Sequence, residues 1–152
     1  MVRFEGEKDF SQPPAELWAK LSDARFLVQC IPDVESVPEV QSDHAQLVLR
    51  PGFSFVRGTL EATLRVVDAV APASARYLIA NKGIGSSADV EATIALDPQG
   101  TGTRVHWTAE VKSLGGLLKM VPSGLIRGAA QKVVQDTWSA VEAKLNAASA
   151  NG

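Results

Sequence analysis

The stretch Pro122-Ser-Gly-Leu-Ile-Arg-Gly-Ala-Ala-Gln-Lys-Val-Val-Gln-Asp-Thr-Trp-Ser-Ala-Val-Glu-Ala-Lys-Leu-Asn-Ala-Ala148 decides the fold. Ile126, Ala130, Val133, Thr137, Val141 and Leu145 recur at intervals of three and four, and Ala129, Val134 and Trp138 widen the stripe. Arg127, Gln131, Gln135, Asp136, Ser139 and Glu142 take the remaining positions. This is the period of a long amphipathic helix, about 40 Å at ~1.5 Å per residue. Its apolar stripe needs a broad surface to lie against, and nearly everything upstream reads as strand.

Val2 to Phe10 alternates small or apolar residues with charged ones. Pro13-Pro14 ends that strand and opens a short helix with Leu17, Trp18 and Leu21 on one face. Ser22-Asp23 offers an N-cap for a second short helix from Ala24 to about Val28. His44 to Arg50 is a strand, followed by Val56 to Asp68, with Val56, Gly58, Leu60, Ala62, Leu64 and Val66 on its inward phase. Ala75 to Gly83 places Tyr77 and Ile79 on one face and leads into a Gly-rich hairpin over 81–86. Ala88 to Leu96 turns Ala88, Val90, Ala92, Ile94 and Leu96 inward. A turn at Asp97-Pro98-Gln99-Gly100 precedes Thr103 to Val111, with Val105, Trp107, Ala109 and Val111 inward and Arg104, His106, Glu110 and Lys112 in water. Consecutive one-sided strands with short turns describe an antiparallel meander whose dry face must be covered. The fold class is α+β: a curved antiparallel sheet of about seven strands, two short helices and one long C-terminal helix gripped by the sheet.

The 152 residues are expected to form one domain over 1–148, with a disordered tail at 149–152. Hydrophobic content of 45% with 21% charged residues is that of a soluble globular chain. A net charge of -2 gives no basic face for nucleic acid. The opening residues carry no apolar run of a signal peptide, and no segment reaches the ~20 apolar residues that span a bilayer. A single cysteine, Cys30, excludes an intramolecular disulfide and fits a reducing compartment. The expected location is the cytoplasm, with the inner face of the membrane as a peripheral site.

The order strand, two short helices, meander, long helix resembles the helix-grip fold of the START and Bet v 1 superfamily. Phe4-x-Gly6, Pro14-x-x-x-Trp18-x-x-Leu21-x-Asp23 and Cys30-Ile31-Pro32 resemble the opening of the family named after the G subunit of aerobic carbon monoxide dehydrogenase. Gly58, Arg76-Tyr77, Gly83-x-Gly85 and Gly102-Thr103-Arg104-Val105 resemble its middle, and Gly116-x-Leu118 with Trp138 its end. Asp33 stands where that family usually has Gly after Ile-Pro. The resemblance implies the helix-grip fold and a hydrophobic cavity, and a role as accessory protein to a redox enzyme.

Chemistry is sparse. Two histidines, His44 and His106, and one cysteine supply no metal constellation, so no metal or cofactor is expected. Cys30 has no neighbouring base and reads as packed and inert. Gly83-x-Gly85 lacks the third glycine and flanking βα unit of a dinucleotide loop. No catalytic residue is assigned. The expected ligand cavity comprises Leu60, Tyr77, Ile79, Asn81, Ala92, Ile94, Trp107, Leu125, Ala129 and Val133, with Lys8 and Asp68 as further polar candidates on inward phases. Tyr77 and Asn81 have two readings: a pair that orients a ligand carbonyl, or a hydroxyl and an amide satisfied locally. The apolar, Gly/Pro-punctuated segment Leu114 to Ile126 reads as a lid, as a contact to a membrane surface or an oxidoreductase, or as an ordinary helix start. The leading expectation is a protein that binds a hydrophobic small molecule, lipid or quinone-like, between sheet and helix. The alternative is a polyketide cyclase or dehydratase-like enzyme, which needs an inward titratable pair.

Overall fold

The computed structural model describes residues 2–53 and 58–151, with side chains described up to residue 146. The chain runs β1 (Arg3–Phe10), α1 (Pro14–Leu21), α2 (Ala24–Leu27), β2 (Val34–Val40), β3 (His44–Leu49), β4 (Leu60–Val70), β5 (Ser74–Gly83), β6 (Ser86–Gln99), β7 (Gly102–Gly116), a 3-10 turn (Leu117–Met120) and α3 (Ser123–Asn151). The seven strands form one curved sheet in the order β1-β7-β6-β5-β4-β3-β2, every neighbouring pair antiparallel. It is a meander from β2 to β7, with β1 added at the far edge. Residues 56 and 57, the start expected for the long strand, lie outside the described residues. The backbone of α3 runs to Asn151, past the expected end at 148; Gly152 and the side chains from 147 onward lie outside the description.

Local chemistry explains the short helices. Pro14 occupies the first position of α1, where its missing N–H costs nothing. Asp23 caps α2 by accepting the Arg25 N–H. Leu17, Leu21 and Ala24 are buried and close one end of the sheet's concave face.

Period-2 alternation then sorts the faces. Ile94 stands opposite Trp107 across β6 and β7, and both point to the helix side with Ala45, Leu64, Tyr77 and Val105. The convex face carries the charges: Arg104 pairs with Asp9 at 2.8 Å, His106 with Asp97 at 2.9 Å, and Arg76 with Glu91 at 3.0 Å. These pairs are half-exposed, so each adds little to stability.

Three boundaries differ from the sequence expectation, each for a non-local reason. The β6–β7 turn is at Gly100 and Thr101, not Asp97 to Gly100, because Asp97 and Pro98 pair with Arg104 and Thr103. Pro98 is tolerated there because β5 begins at Ser74, opposite Ala95, and leaves that edge of β6 free. In β4 a bulge between Val67 and Val70, with Asp68 at φ 48, ends the alternation early. β7 continues to Gly116, and a register shift opposite Asp89 and Val90 makes Lys112 the extra residue. Leu114 is thereby restored to the inward face. At Gly116 (φ 61) a Cβ would land on the Gly85 carbonyl oxygen, so the strand end and the β5–β6 hairpin meet backbone to backbone.

Two apolar clusters result. The larger joins α1, α2, the middle of the sheet and the C-terminal half of α3 through Trp138, Val141 and Leu145. The smaller gathers Val2, Val111, Leu118 and Ile126 under the N-terminal turn of α3.

Candidate functional site

Between sheet and helix the packing does not close. A cavity of about 190 Å³ lies beneath the middle of α3, against Leu21, Leu27, Tyr77, Ala92, Ile94, Trp107 and Trp138. A second, of about 310 Å³, opens toward the N-terminal half of the helix, against Leu47, Leu60, Asn81, Leu114, Leu118, Ile126 and Ala129. Ile31, Ile79, Val90, Ala109, Val133, Val134 and Thr137 line both, so the two adjoin along one trough. The physical origin is legible: small side chains, Ala92 and Ala109 on the sheet and Ala129 and Ala130 on the helix, line the trough where larger ones would fill the gap.

The hydroxyls and the side-chain amide on this wall are already engaged. The Tyr77 hydroxyl donates to the Leu21 carbonyl at 2.6 Å, and burial pushes its pKa well above the ordinary phenol range. The Thr137 hydroxyl donates to Val133 C=O at 2.7 Å, and the Asn81 amide donates to Ala88 C=O at 3.3 Å. Tyr77 and Asn81 thus take the local reading, one locking α1 to the sheet and the other serving the hairpin. Trp107 Nε1 is buried with no hydrogen-bond partner among the described residues, its ring pressed over Gly6 of β1. Two carboxylates reach the lining. Glu110 pairs with Lys112 at 3.5 Å, and Asp33 sits in the turn before β2. Asp33 holds φ 63, so the turn that a glycine would make is kept by an aspartate, a residue that tolerates the left-handed region.

Of the expected cavity residues, Leu60, Tyr77, Ile79, Asn81, Ala92, Ile94, Trp107, Ala129 and Val133 lie on this lining. Leu125 does not; it is half-exposed. One residue before the buried Ile126, it stands about 100° round the helix from the inward stripe. Lys8 is on the inward phase of β1, but its Nζ reaches Glu142 on α3 at 3.0 Å and ties strand to helix outside the trough. The bulge turns Asp68 into water, where it pairs with Arg76 at 3.4 Å.

The remaining candidates are peripheral. Among the described residues, no group of three or more His, Cys, Asp or Glu side chains is placed to hold a metal. His44 bonds through Nδ1 to Asp43 at 2.8 Å, and this carboxylate raises its pKa, with Glu39 adding to the effect. His106 lies on the convex face between Asp97 and Glu7. Cys30 is buried, its Sγ donating to Phe26 C=O at 3.6 Å, and desolvation pushes its thiol up to about 11. Sequence reasoning missed Leu27, Ile31, Pro51 and Phe53, which reach the trough from loops and α2 and carry no periodic signal. Leu114 and Leu118 belong to the segment read as a lid, a contact surface or an ordinary helix start; both line the trough, Leu114 because the bulge at Lys112 turns it inward.

The family model for the G subunit of carbon monoxide dehydrogenase (CoxG) matches residues 6–146. The chain belongs to this family. Solved structures agree on the fold. A conserved protein of Geobacillus kaustophilus superposes with a TM-score of 0.83 at 22% identity, covering 95% of each chain. A START superfamily protein of Mycobacterium smegmatis gives 0.66 at 12% identity, covering 96% of this chain and 98% of that one. A Thermus thermophilus protein gives 0.66 at 18% identity over 97% and 99%. No curated protein matches the chain. The CoxG family is therefore represented here on a START-like helix-grip fold, in which the long helix and the sheet enclose the trough. Among the described residues no helix is long and apolar enough to cross a membrane.

Proposed function

We propose that this protein binds a hydrophobic small molecule, a lipid or a quinone-like compound, in the trough between the sheet and α3. In this reading it works in the cytoplasm as an accessory to a redox enzyme and meets the membrane surface or the oxidoreductase through the segment Leu114 to Ile126. The observation that carries the proposal is the lining: it is mostly apolar, and the Tyr77, Asn81 and Thr137 polar groups are already hydrogen-bonded within the protein. Such a surface favours a ligand that needs burial more than anchoring. Covering ~400 Å² of ligand apolar surface at ~25 cal/mol/Å² gives about 10 kcal/mol gross. Association costs several kcal/mol against that sum, which leaves a useful affinity. Membership of the CoxG family supports the redox setting.

Ala129→Phe is the test. The new ring projects into the larger cavity, so it should abolish uptake of an apolar fluorescent probe or a short-chain quinone while leaving the melting temperature near normal. In a solid interior the same change overpacks and costs about 1–3 kcal/mol. Lost stability, with no probe uptake by the parent protein, would count against the cavity.

A further inference from the structure

The two cavities of the trough are walled by different chemistry. Tyr77, Trp107 and Trp138 line the smaller one, with the two indole rings 6.1 Å apart and tilted by 43°. The larger is walled mainly by aliphatic side chains, among them Leu47, Leu49, Leu60, Leu114 and Ile126. A flat ring finds aromatic partners in the first, and an aliphatic chain finds its like in the second.

Hydrogen bonding separates the two ends as well. On the lining of the smaller cavity the Tyr77 hydroxyl donates to Leu21 C=O, the Thr137 hydroxyl donates to Val133 C=O, and the Thr93 and Thr108 hydroxyls bond to each other. Trp107 Nε1 is left over. Among the described residues of that lining it is the one buried side-chain donor without a partner. A buried indole N–H ordinarily finds an acceptor. The larger cavity offers the reverse. Its Asp33 and Glu110 carboxylates repel a ligand oxygen, and its Asn81 amide already donates to Ala88 C=O.

We infer that the trough takes its ligand in one orientation: a carbonyl-bearing ring lies in the smaller cavity, its oxygen accepting a hydrogen bond from Trp107 Nε1, and an aliphatic tail runs into the larger cavity. The inference rests on the ligand-binding reading above and adds to it the orientation and the residue that recognises the oxygen. The N–H edge of the ring lies over Gly6, and the cavity of about 190 Å³ beside the ring gives the indole room to turn that edge toward the ligand. A site with one unmet donor favours a ligand that brings the acceptor and discriminates against an analogue that lacks it.

Menadione and methylnaphthalene, similar in shape but with and without carbonyl oxygens, test it. Each dissociation constant is compared with that probe's octanol–water partition, which removes the difference in hydration. The parent protein should prefer menadione by roughly tenfold after that correction, the worth of one hydrogen bond. Trp107→Phe should lose the preference while still binding methylnaphthalene, and Asn81→Leu, in the larger cavity, should keep it. In nuclear magnetic resonance of the indole N–H groups, the Trp107 signal should move further downfield with menadione than with methylnaphthalene. The Trp18 signal should hold still, because that N–H is already bonded to Ser74 C=O at 2.9 Å. This measurement is made on the parent protein and decides the matter even where Trp107→Phe does not fold. A short-chain quinone with a nitroxide at the end of its tail should broaden the methyl signals of Leu114 and Leu118 and spare those of Leu21 and Leu27; the opposite pattern overturns the orientation. Menadione bound without preference, a preference that Trp107→Phe keeps, or a Trp107 signal that answers both probes alike overturns the inference and leaves the ligand-binding reading standing. No uptake of either probe brings down both.

Discussion

Trp107 shows how single positions hold this interior open. Its indole lies across β1 at Gly6, its partner in the strand register, and a Cβ there would sit 2.9 Å from Cζ2 and 3.0 Å from Cε2. Gly6 is needed for close approach and has no unusual φ to satisfy. Gly6→Ala should push the ring toward the smaller cavity, costing about 1–3 kcal/mol in denaturant unfolding and weakening probe uptake. An unchanged midpoint would mean that the ring has slack. Tyr77 illustrates the opposite use of a residue. Its hydroxyl is spent on the Leu21 carbonyl, so it is a bolt between α1 and the sheet. The sequence allowed both readings of Tyr77, because a tyrosine on an inward strand phase looks the same whether or not a backbone carbonyl from a distant helix meets it.

At the scale of elements, α3 is two half-helices with different work. Its C-terminal half is fastened by Val141 and Leu145, by Trp138 at 6.1 Å from both the Phe10 and Trp107 rings, and by the Lys8–Glu142 pair. The N-terminal half carries Gly124 and Gly128, where an added Cβ would meet nothing, and spans the larger cavity on Ile126, Ala129, Ala130 and Val133. Trp138→Ala should therefore cost roughly 3–5 kcal/mol by denaturant titration, as loss of a packed aromatic does. A midpoint equal to the parent's would place the ring outside the core. The helix itself was plain from its apolar period. That one half seals and the other bridges was not, since both halves show the same stripe.

For the whole molecule the central claim is linkage. A ligand that occupies the trough only in the folded state adds stability in proportion to the logarithm of its concentration, about 2.7 kcal/mol at ~100 times its dissociation constant. A graded rise in melting temperature with an apolar quinone is expected, and Ala129→Phe should remove it. A melting temperature indifferent to every apolar ligand tried would speak for a protein that acts through its surface alone.

The sequence by itself determined the strands, the long helix, the sorting of apolar from charged faces and the absence of charge from most inward phases. These follow from backbone periods of 2 and 3.6, which are local properties of the chain. It also carried the family, through short motifs spread over nearly its whole length. Only the tertiary structure decided where the phases break. Lys112 bulges because β6 must stay in register on both sides of it, and Asp68 turns outward because β4 shifts register against β5 between Val67 and Val70. Only the tertiary structure brought Leu27, Ile31 and Phe53 to the trough and left Leu125 and Met120 in solvent. Those outcomes depend on pairing between residues far apart in the chain, and no local period encodes them.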